Sequence, residues 1–258
     1  MKKVCNKALQ FLGQEYETNN CGKCFIIDYK NSHNVLVMFY EPVCIVKTKI
    51  GHLRRGGVDN PMFPSLLGKG FIGVGRYGAK DKRLYRLWSN LLIRVYCEKH
   101  NAKHPAYKDV TVCEEWLNFQ NFAEWCEQDV YFNLVDEKGI RYQLDKDILV
   151  KGNKIYSPET CCFVPSILNS LIVSCGSKRG VYPVGVSLQK HNNTFLSQIR
   201  KEGSRKYRLG SFSTPEEAFQ AYKESKELYI KEVVHKWKGK IDDKVYQALC
   251  CYKVEITD

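Results

Sequence analysis

The most regular pattern of apolar and polar positions lies in the last quarter of the chain. Three runs of alternating character predict short β-strands, over residues 183–189, 194–200 and 206–212. Thr214 and Pro215 are residue types favoured at the N-cap and the first position of a helix, and small and apolar residues follow at helical spacing. The pattern therefore predicts a three-stranded antiparallel sheet backed by one helix.

Alternation along the second run predicts which side chains face that helix. Phe195 and Ile199 fall on the helix side, so the opposite face stays open. Arginine pairs with guanine edges and glutamine with adenine edges, while lysine and serine reach phosphates. The open face is thus a candidate DNA-binding surface, and the alternative is a charged face that is merely hydrated. Its expected members are Ser187, Gln189, Thr194, Gln198, Arg200, Lys206 and Arg208.

The pattern along the rest of the chain predicts further strands and helices, as in an α+β protein. Residues 24–29, 35–40 and 43–47 predict strands of a small N-terminal β module over residues 1–78. Two apolar stripes at helical period, which begin at Leu84 and Trp116, predict a helical region over 79–132. We expect a multidomain chain that continues with a ββα module over 133–175, the sheet and helix over 178–235, and a tail over 236–258.

The net charge of the chain indicates what kind of molecule it binds. The chain carries 40 basic and 28 acidic residues, a net charge of +12, and residues 178–240 alone hold 14 basic and 6 acidic ones. A surplus concentrated in this way indicates a polyanion, nucleic acid before membrane, although it could serve solubility alone. Apolar residues make up 44% of the sequence, which argues against wholesale disorder.

The 12 cysteines suggest disulfides or zinc until their context is considered. The N-terminus lacks the apolar stretch of a signal peptide, and no run approaches the roughly 18 apolar residues of a membrane span. We therefore expect a cytoplasmic protein with free thiols and no membrane partner. Cys21 and Cys24 have zinc-ligand spacing without a second pair, so zinc is not favoured. A looser candidate cluster consists of Cys97, His100, His104 and Cys113.

Residues 181–233 resemble the plant ethylene-response-factor (Apetala-type) DNA-binding domain in its phage and mobile-element form. The resemblance rests on Gly185-Val186, Phe195-x-Ser-x-Ile199, Leu209-Gly-x-Phe212 and Thr214-Pro-Glu-Glu-Ala-Phe-x-Ala-Tyr222. It implies binding of duplex DNA in the major groove through the open face of the sheet. The first strand has Val184, Ser187 and Gln189 where the family is rich in arginine, which leaves the recognised DNA sequence open.

Residues 140–172 resemble a His-Asn-His (HNH) nuclease module of the phage homing-endonuclease kind. The matching residues are Leu144-Asp145-Lys146-Asp147, Gly152-Asn153, Glu159-Thr-Cys-Cys-Phe-Val-Pro165 and Asn169. The resemblance implies Asp145 as a metal ligand, Lys146 at the position of the general base and Thr160 at the position of a second metal ligand. A lysine with a pKa near 10.4 is a poor base at neutral pH unless burial lowers that pKa, and threonine is a weak metal ligand.

The whole chain thus resembles phage-encoded HNH proteins with an Apetala-type domain. We expect a double-stranded DNA-binding protein of the bacterial host cytoplasm whose nuclease site is impaired. One alternative is an active homing or nicking endonuclease, with Mg²⁺ as the candidate cofactor. Another is a phage regulator or host-factor inhibitor that acts through contacts with a host or phage protein. The residues assign no role to the N-terminal module and no oligomeric state.

Overall fold

The chain divides into two units of nearly equal length, Met1–Gln128 and Asp129–Asp258. The computed structural model describes residues 6–172, 181–201 and 206–258, so the predicted boundary at residues 175–178 lies outside the described residues. Helices and antiparallel sheets occur in both units, which confirms the predicted α+β class. Within the described ranges, none of the helices has both the length and the apolar character needed to span a bilayer.

The first unit begins with helix α1 (Asn6–Phe11) and a four-stranded antiparallel sheet. Its strands are β1 (Glu15–Glu17), β2 (Lys23–Asn31), β3 (Asn34–Phe39) and β4 (Cys44–Thr48), paired in chain order. One face of this sheet is buried under Leu53, from the short helix α2 (Ile50–Leu53), and under Val58. Strands β2, β3 and β4 correspond to the three predicted strands. In β2 and β3, apolar residues at alternate positions fill the core.

The helical part of the first unit contains α3 (Lys82–Tyr96), α4 (Glu98–Lys103), a short strand β5 (Thr111–Val112) and α5 (Phe119–Gln128). Two 3₁₀ turns, Pro105–Tyr107 and Glu114–Leu117, lie between α4 and α5. The predicted stripes are buried, and Trp88 Nε1 donates a hydrogen bond of 2.7 Å to the backbone oxygen of Trp116. The aromatic residues of this region are therefore core residues.

The second unit opens with strands β6 (Gln143–Asp145), β7 (Ile155–Tyr156) and β8 (Cys162–Val164), followed by α6 (Ser166–Ile172). β6 and β8 pair antiparallel, which gives the strand–strand–helix order expected for a ββα module. The sequence over residues 140–145 suits a longer strand, but only its second half forms one. Asp136 Oδ1 accepts the amide hydrogens of Lys138 and Ile140, so the first half closes a turn instead.

The C-terminal sheet consists of β9 (Val186–Gln189), β10 (Thr194–Arg200) and β11 (Lys206–Phe212), with β10 in the centre. Helix α7 (Pro215–His235) follows directly, and Thr214 and Glu217 form a capping box at its start. Helix α7 packs on the sheet and on α8 (Asp243–Cys250). Strand β9 is shorter than predicted because Gly185 has a left-handed backbone with φ +77°.

Candidate nucleic-acid interface

The register of the C-terminal sheet places all seven predicted DNA-binding residues on the same face. Residues directly opposite each other in an antiparallel pair point to the same side of the sheet. The opposed pairs are Gln189 with Thr194, Ser187 with Leu196, Gln198 with Arg208, and Arg200 with Lys206. This side faces away from α7 and is called the open face below.

The opposite face packs on α7, as the alternation along β10 predicts. Ile199 is buried there, and so are Ala218, Phe219 and Tyr222 of the helix. Gly185 lies so close to α7 that an added Cβ atom would meet the Tyr222 ring at 2.1 Å. The turn before β9 therefore requires glycine, both for its left-handed backbone and for this close approach.

Strand β11 contains an irregularity that decides which of its residues reach the open face. Ser197 is opposite Gly210, whereas the next residue of β10, Gln198, is opposite Arg208. Leu209 is therefore an extra residue, as in a β-bulge. Without it, regular alternation would put Ser211 and Arg208 on opposite faces. The bulge brings both onto the open face.

A hydrogen-bonded network joins the outer strands of the open face across β10. Arg208 Nη2 donates to Ser211 Oγ over 2.7 Å, and Ser211 Oγ donates to Gln189 Oε1 over 2.6 Å. Thr194 Oγ1 also lies 3.3 Å from Gln189 Oε1. Ser211 thereby holds two predicted residues, Arg208 and Gln189. Sequence reasoning missed Ser211 because strict alternation assigns it to the helix side.

Cations on the two sides of the sheet have different surroundings. Arg200, Lys206 and Arg208 are exposed on the open face. Lys201, at the end of β10, instead contacts α7: its Nζ atom lies 3.9 Å from a carboxylate oxygen of Glu232 and 5.3 Å from the centre of the Tyr229 ring. The open face thus presents its positive charge to solvent.

The loop after β6 holds the residues that the nuclease resemblance singles out. Asp145 is buried, and its Oδ1 accepts hydrogen bonds of 2.8 Å from the amides of Asp147 and Ile148. Burial raises the pKa of Asp145, and the two amide hydrogen bonds oppose that rise. The carboxylate therefore closes the turn that leaves β6.

Lys146 is also bound within this loop. Its Nζ lies 2.6 Å from Asp147 Oδ1 and donates a 2.8 Å hydrogen bond to the backbone oxygen of Asn153. The Asn153 side chain in turn donates to the backbone oxygens of Lys146 and Ile155. An ammonium group in this ion pair has no lone pair with which to act as a base.

Thr160 completes the set of predicted nuclease positions. Its hydroxyl donates to the backbone oxygen of Ile155 over 2.8 Å and lies 3.1 Å from Ser157 Oγ. In the part of the chain that the structure describes, no three His, Cys, Asp or Glu side chains come together in a way that could hold a metal ion.

The predicted thiol and zinc candidates have different surroundings. Cys21 and Cys24 lie in the apolar core of the first unit, and burial raises the pKa of the Cys24 thiol. Burial also raises the pKa of Cys161, to about 12. The His100 and His104 rings lie in contact, tilted by 30°, with their centres 4.5 Å apart. The cysteines within the described residues form no disulfide bonds.

Comparisons of this chain with protein-family models, with curated proteins and with solved structures return no match. The HNH and Apetala-type resemblances therefore stay predictions. The function of this chain is inferred from the open face and from the loop after β6.

Proposed function

We propose that this chain binds double-stranded DNA through the open face of its C-terminal sheet. The observation that supports this most is the register, which gathers three exposed cations and four uncharged polar side chains on one side of β9, β10 and β11. A β-ribbon fits the major groove of B-DNA, which is about 12 Å wide. The resemblance of residues 181–233 to Apetala-type domains supports the same assignment.

Within this proposal the side chains of the open face have different tasks. Arg208 is held beside Gln189, so these two residues present a guanidinium and an amide together to base edges. Arg200 and Lys206 lie opposite each other at the end of the sheet and bind phosphates. Prior ordering by the Ser211 network reduces the conformational entropy lost on binding.

The loop after β6 supports binding without cleavage. A nuclease at this position would use Lys146 as its base, yet Lys146 is 8% exposed and ion-paired with Asp147. Asp145 likewise accepts from a backbone amide of this loop, and Thr160 donates to the backbone oxygen of Ile155 in β7. We propose that the ββα module serves as a structural part of the DNA-binding unit.

A salt titration of duplex binding tests the proposal. Duplexes selected from a random pool are measured by fluorescence anisotropy with the wild type, Arg200→Ala and Arg208→Ala. Arg208→Ala should weaken selected binding by about 1–3 kcal/mol, and Arg200→Ala should reduce the salt slope by about one. Lys231→Ala and Lys236→Ala are matched controls, because they remove exposed cations of α7 and its C-cap.

Two results would contradict the proposal. One is that the wild type selects no duplex and loses its affinity at about 150 mM salt, as a merely basic protein would. The other is that the control variants on α7 weaken binding as much as the open-face variants do. Either result would favour an incidental charge surplus over a DNA-binding surface.

A further inference from the structure

The N-terminal sheet has a second face, opposite its buried core, that is also apolar. Four directly opposed residues form a row across this outer face: Glu15, Phe25, Met38 and Ile45. Leu36 lies on the same face, with Asp28 and Lys47 as its neighbours on the adjoining strands. The sheet thus has apolar side chains on both faces, which is the pattern of a sheet covered on both sides.

The outer face is partly open to solvent. Ile45 keeps 55% of its surface exposed and Tyr40 keeps 50%. The Tyr40 ring lies over Phe25, with ring centres 4.9 Å apart, and its hydroxyl donates a 2.6 Å hydrogen bond to Glu15. Phe25, Leu36 and Met38 are half-buried. An exposed apolar patch bordered by charged residues is typical of a protein–protein contact surface.

Charges at the two borders of this face have opposite signs. Glu15 and Glu17 are exposed on β1, at one edge of the sheet, and Lys23 is opposite Glu17. Lys47 is exposed on β4, at the other edge, and Lys49 follows it. The outer face is therefore acidic at one border, apolar in the middle and basic at the other border.

We propose that this outer face binds the same face of a second copy of the chain. A two-fold axis parallel to the strands puts β1 of each copy over β4 of the other, since the rotation reverses the strand order. The acidic border then meets the basic border twice, and the apolar rows pack between them at the usual spacing of about 10 Å. A two-fold axis across the strands would instead oppose like charges.

Sedimentation velocity of the full chain over a range of protein concentrations tests this dimer. The molar mass obtained from sedimentation of the wild type should be twice that of one chain. Ile45→Lys should raise the dimer dissociation constant at least about tenfold, because it puts a charge into the apolar row. Val74→Lys is the matched control, since Val74 is 69% exposed in the same unit but outside the sheet. A wild type that stays monomeric at every concentration would overturn the proposal.

A charge swap tests the orientation of the two copies. Glu15→Lys and Lys47→Glu should each weaken the dimer, and the double variant should restore it, because the attraction between positions 15 and 47 is then reversed in sign but retained. If the dimer forms but the double variant is weaker than either single one, this two-fold arrangement is wrong. Both experiments omit DNA, so their outcome does not depend on the proposed DNA-binding function.

Discussion

Arg208 Nη2 donates a 2.7 Å hydrogen bond to Ser211 Oγ, although the two residues stand three positions apart on one strand. Such spacing places side chains on opposite faces of a regular strand. The extra residue Leu209 reverses the alternation between them and brings both to the open face. A serine that regular alternation would place under the helix thereby joins the surface that we propose for DNA.

Ser211→Ala should loosen Arg208 and Gln189 without removing any charge. If the open face binds DNA, we expect affinity for a selected duplex to fall by about 1 kcal/mol, the usual contribution of one hydrogen bond. The salt slope should not change, because no phosphate contact is lost. Anisotropy titrations at several salt concentrations measure both quantities. Ser211→Thr retains the hydroxyl and should recover the affinity; failure of this recovery would count against a positioning role.

Gly185→Ala should destabilise the second unit. The new Cβ atom would lie 2.1 Å from the Tyr222 ring, on a residue whose φ is +77°. We expect a loss of about 2–4 kcal/mol in the free energy of unfolding, from overpacking together with backbone strain. Chemical denaturation measures it. Gly239→Ala controls for the strain alone, because Gly239 has φ +75° and nothing within 4 Å of its added Cβ; equal losses in both variants would contradict the packing argument.

Ser197→Ala should not destabilise the chain. The Ser197 hydroxyl is fully buried against α7, and no described residue forms a hydrogen bond with it. Because an unsatisfied buried hydroxyl costs roughly 1–3 kcal/mol, its removal should raise the free energy of unfolding by about 1 kcal/mol. Thermal and urea denaturation provide the test. A clear loss of stability would contradict this prediction and show that the Ser197 hydroxyl has a hydrogen-bond partner.

Asp145→Asn should change how stability depends on pH. Burial raises the pKa of Asp145 in the folded chain above its ordinary value of 3.8. Between pH 3.8 and that raised pKa, the folded chain holds a proton on Asp145 that the unfolded chain releases. This residue therefore opposes folding at neutral pH, and the penalty shrinks as pH falls through the raised pKa towards 3.8. Asparagine retains an oxygen for the amides of Asp147 and Ile148 but does not titrate. The difference in unfolding free energy between wild type and variant should therefore depend on pH; a constant difference would contradict it.

Supercoiled DNA incubated with the chain and Mg²⁺ should remain intact. Lys146 is ion-paired and Asp145 closes a turn, so neither is placed to activate water. The measurement is the conversion of supercoiled to nicked circles, with Asp145→Ala as the parallel variant. Nicking that requires Mg²⁺ and disappears in Asp145→Ala would show an active nuclease and refute a purely structural role for the loop.

Sequence pattern predicted β10, β11 and the first residue of α7 at the residues where the structure has them. These features depend on local chemistry: alternation along a half-buried strand, and a threonine and a proline at the start of a helix. The seven residues expected on the open face follow from the same alternation. The two apolar stripes of the helical region also predicted helices, because the apolar residues of each stripe repeat at helical period.

Other features depend on contacts between segments that no local pattern contains. The bulge at Leu209 arises from the pairing of β11 with β10, so Ser211 could not be assigned to the open face from alternation. The bonds of Lys146 to Asp147 and Asn153 depend on how the loop closes, and only the structure places them. Sequence by itself determined which segments form strands and helices, since those preferences act between near neighbours. Tertiary structure decided which side chains meet, because register and loop closure are set by packing across the whole unit.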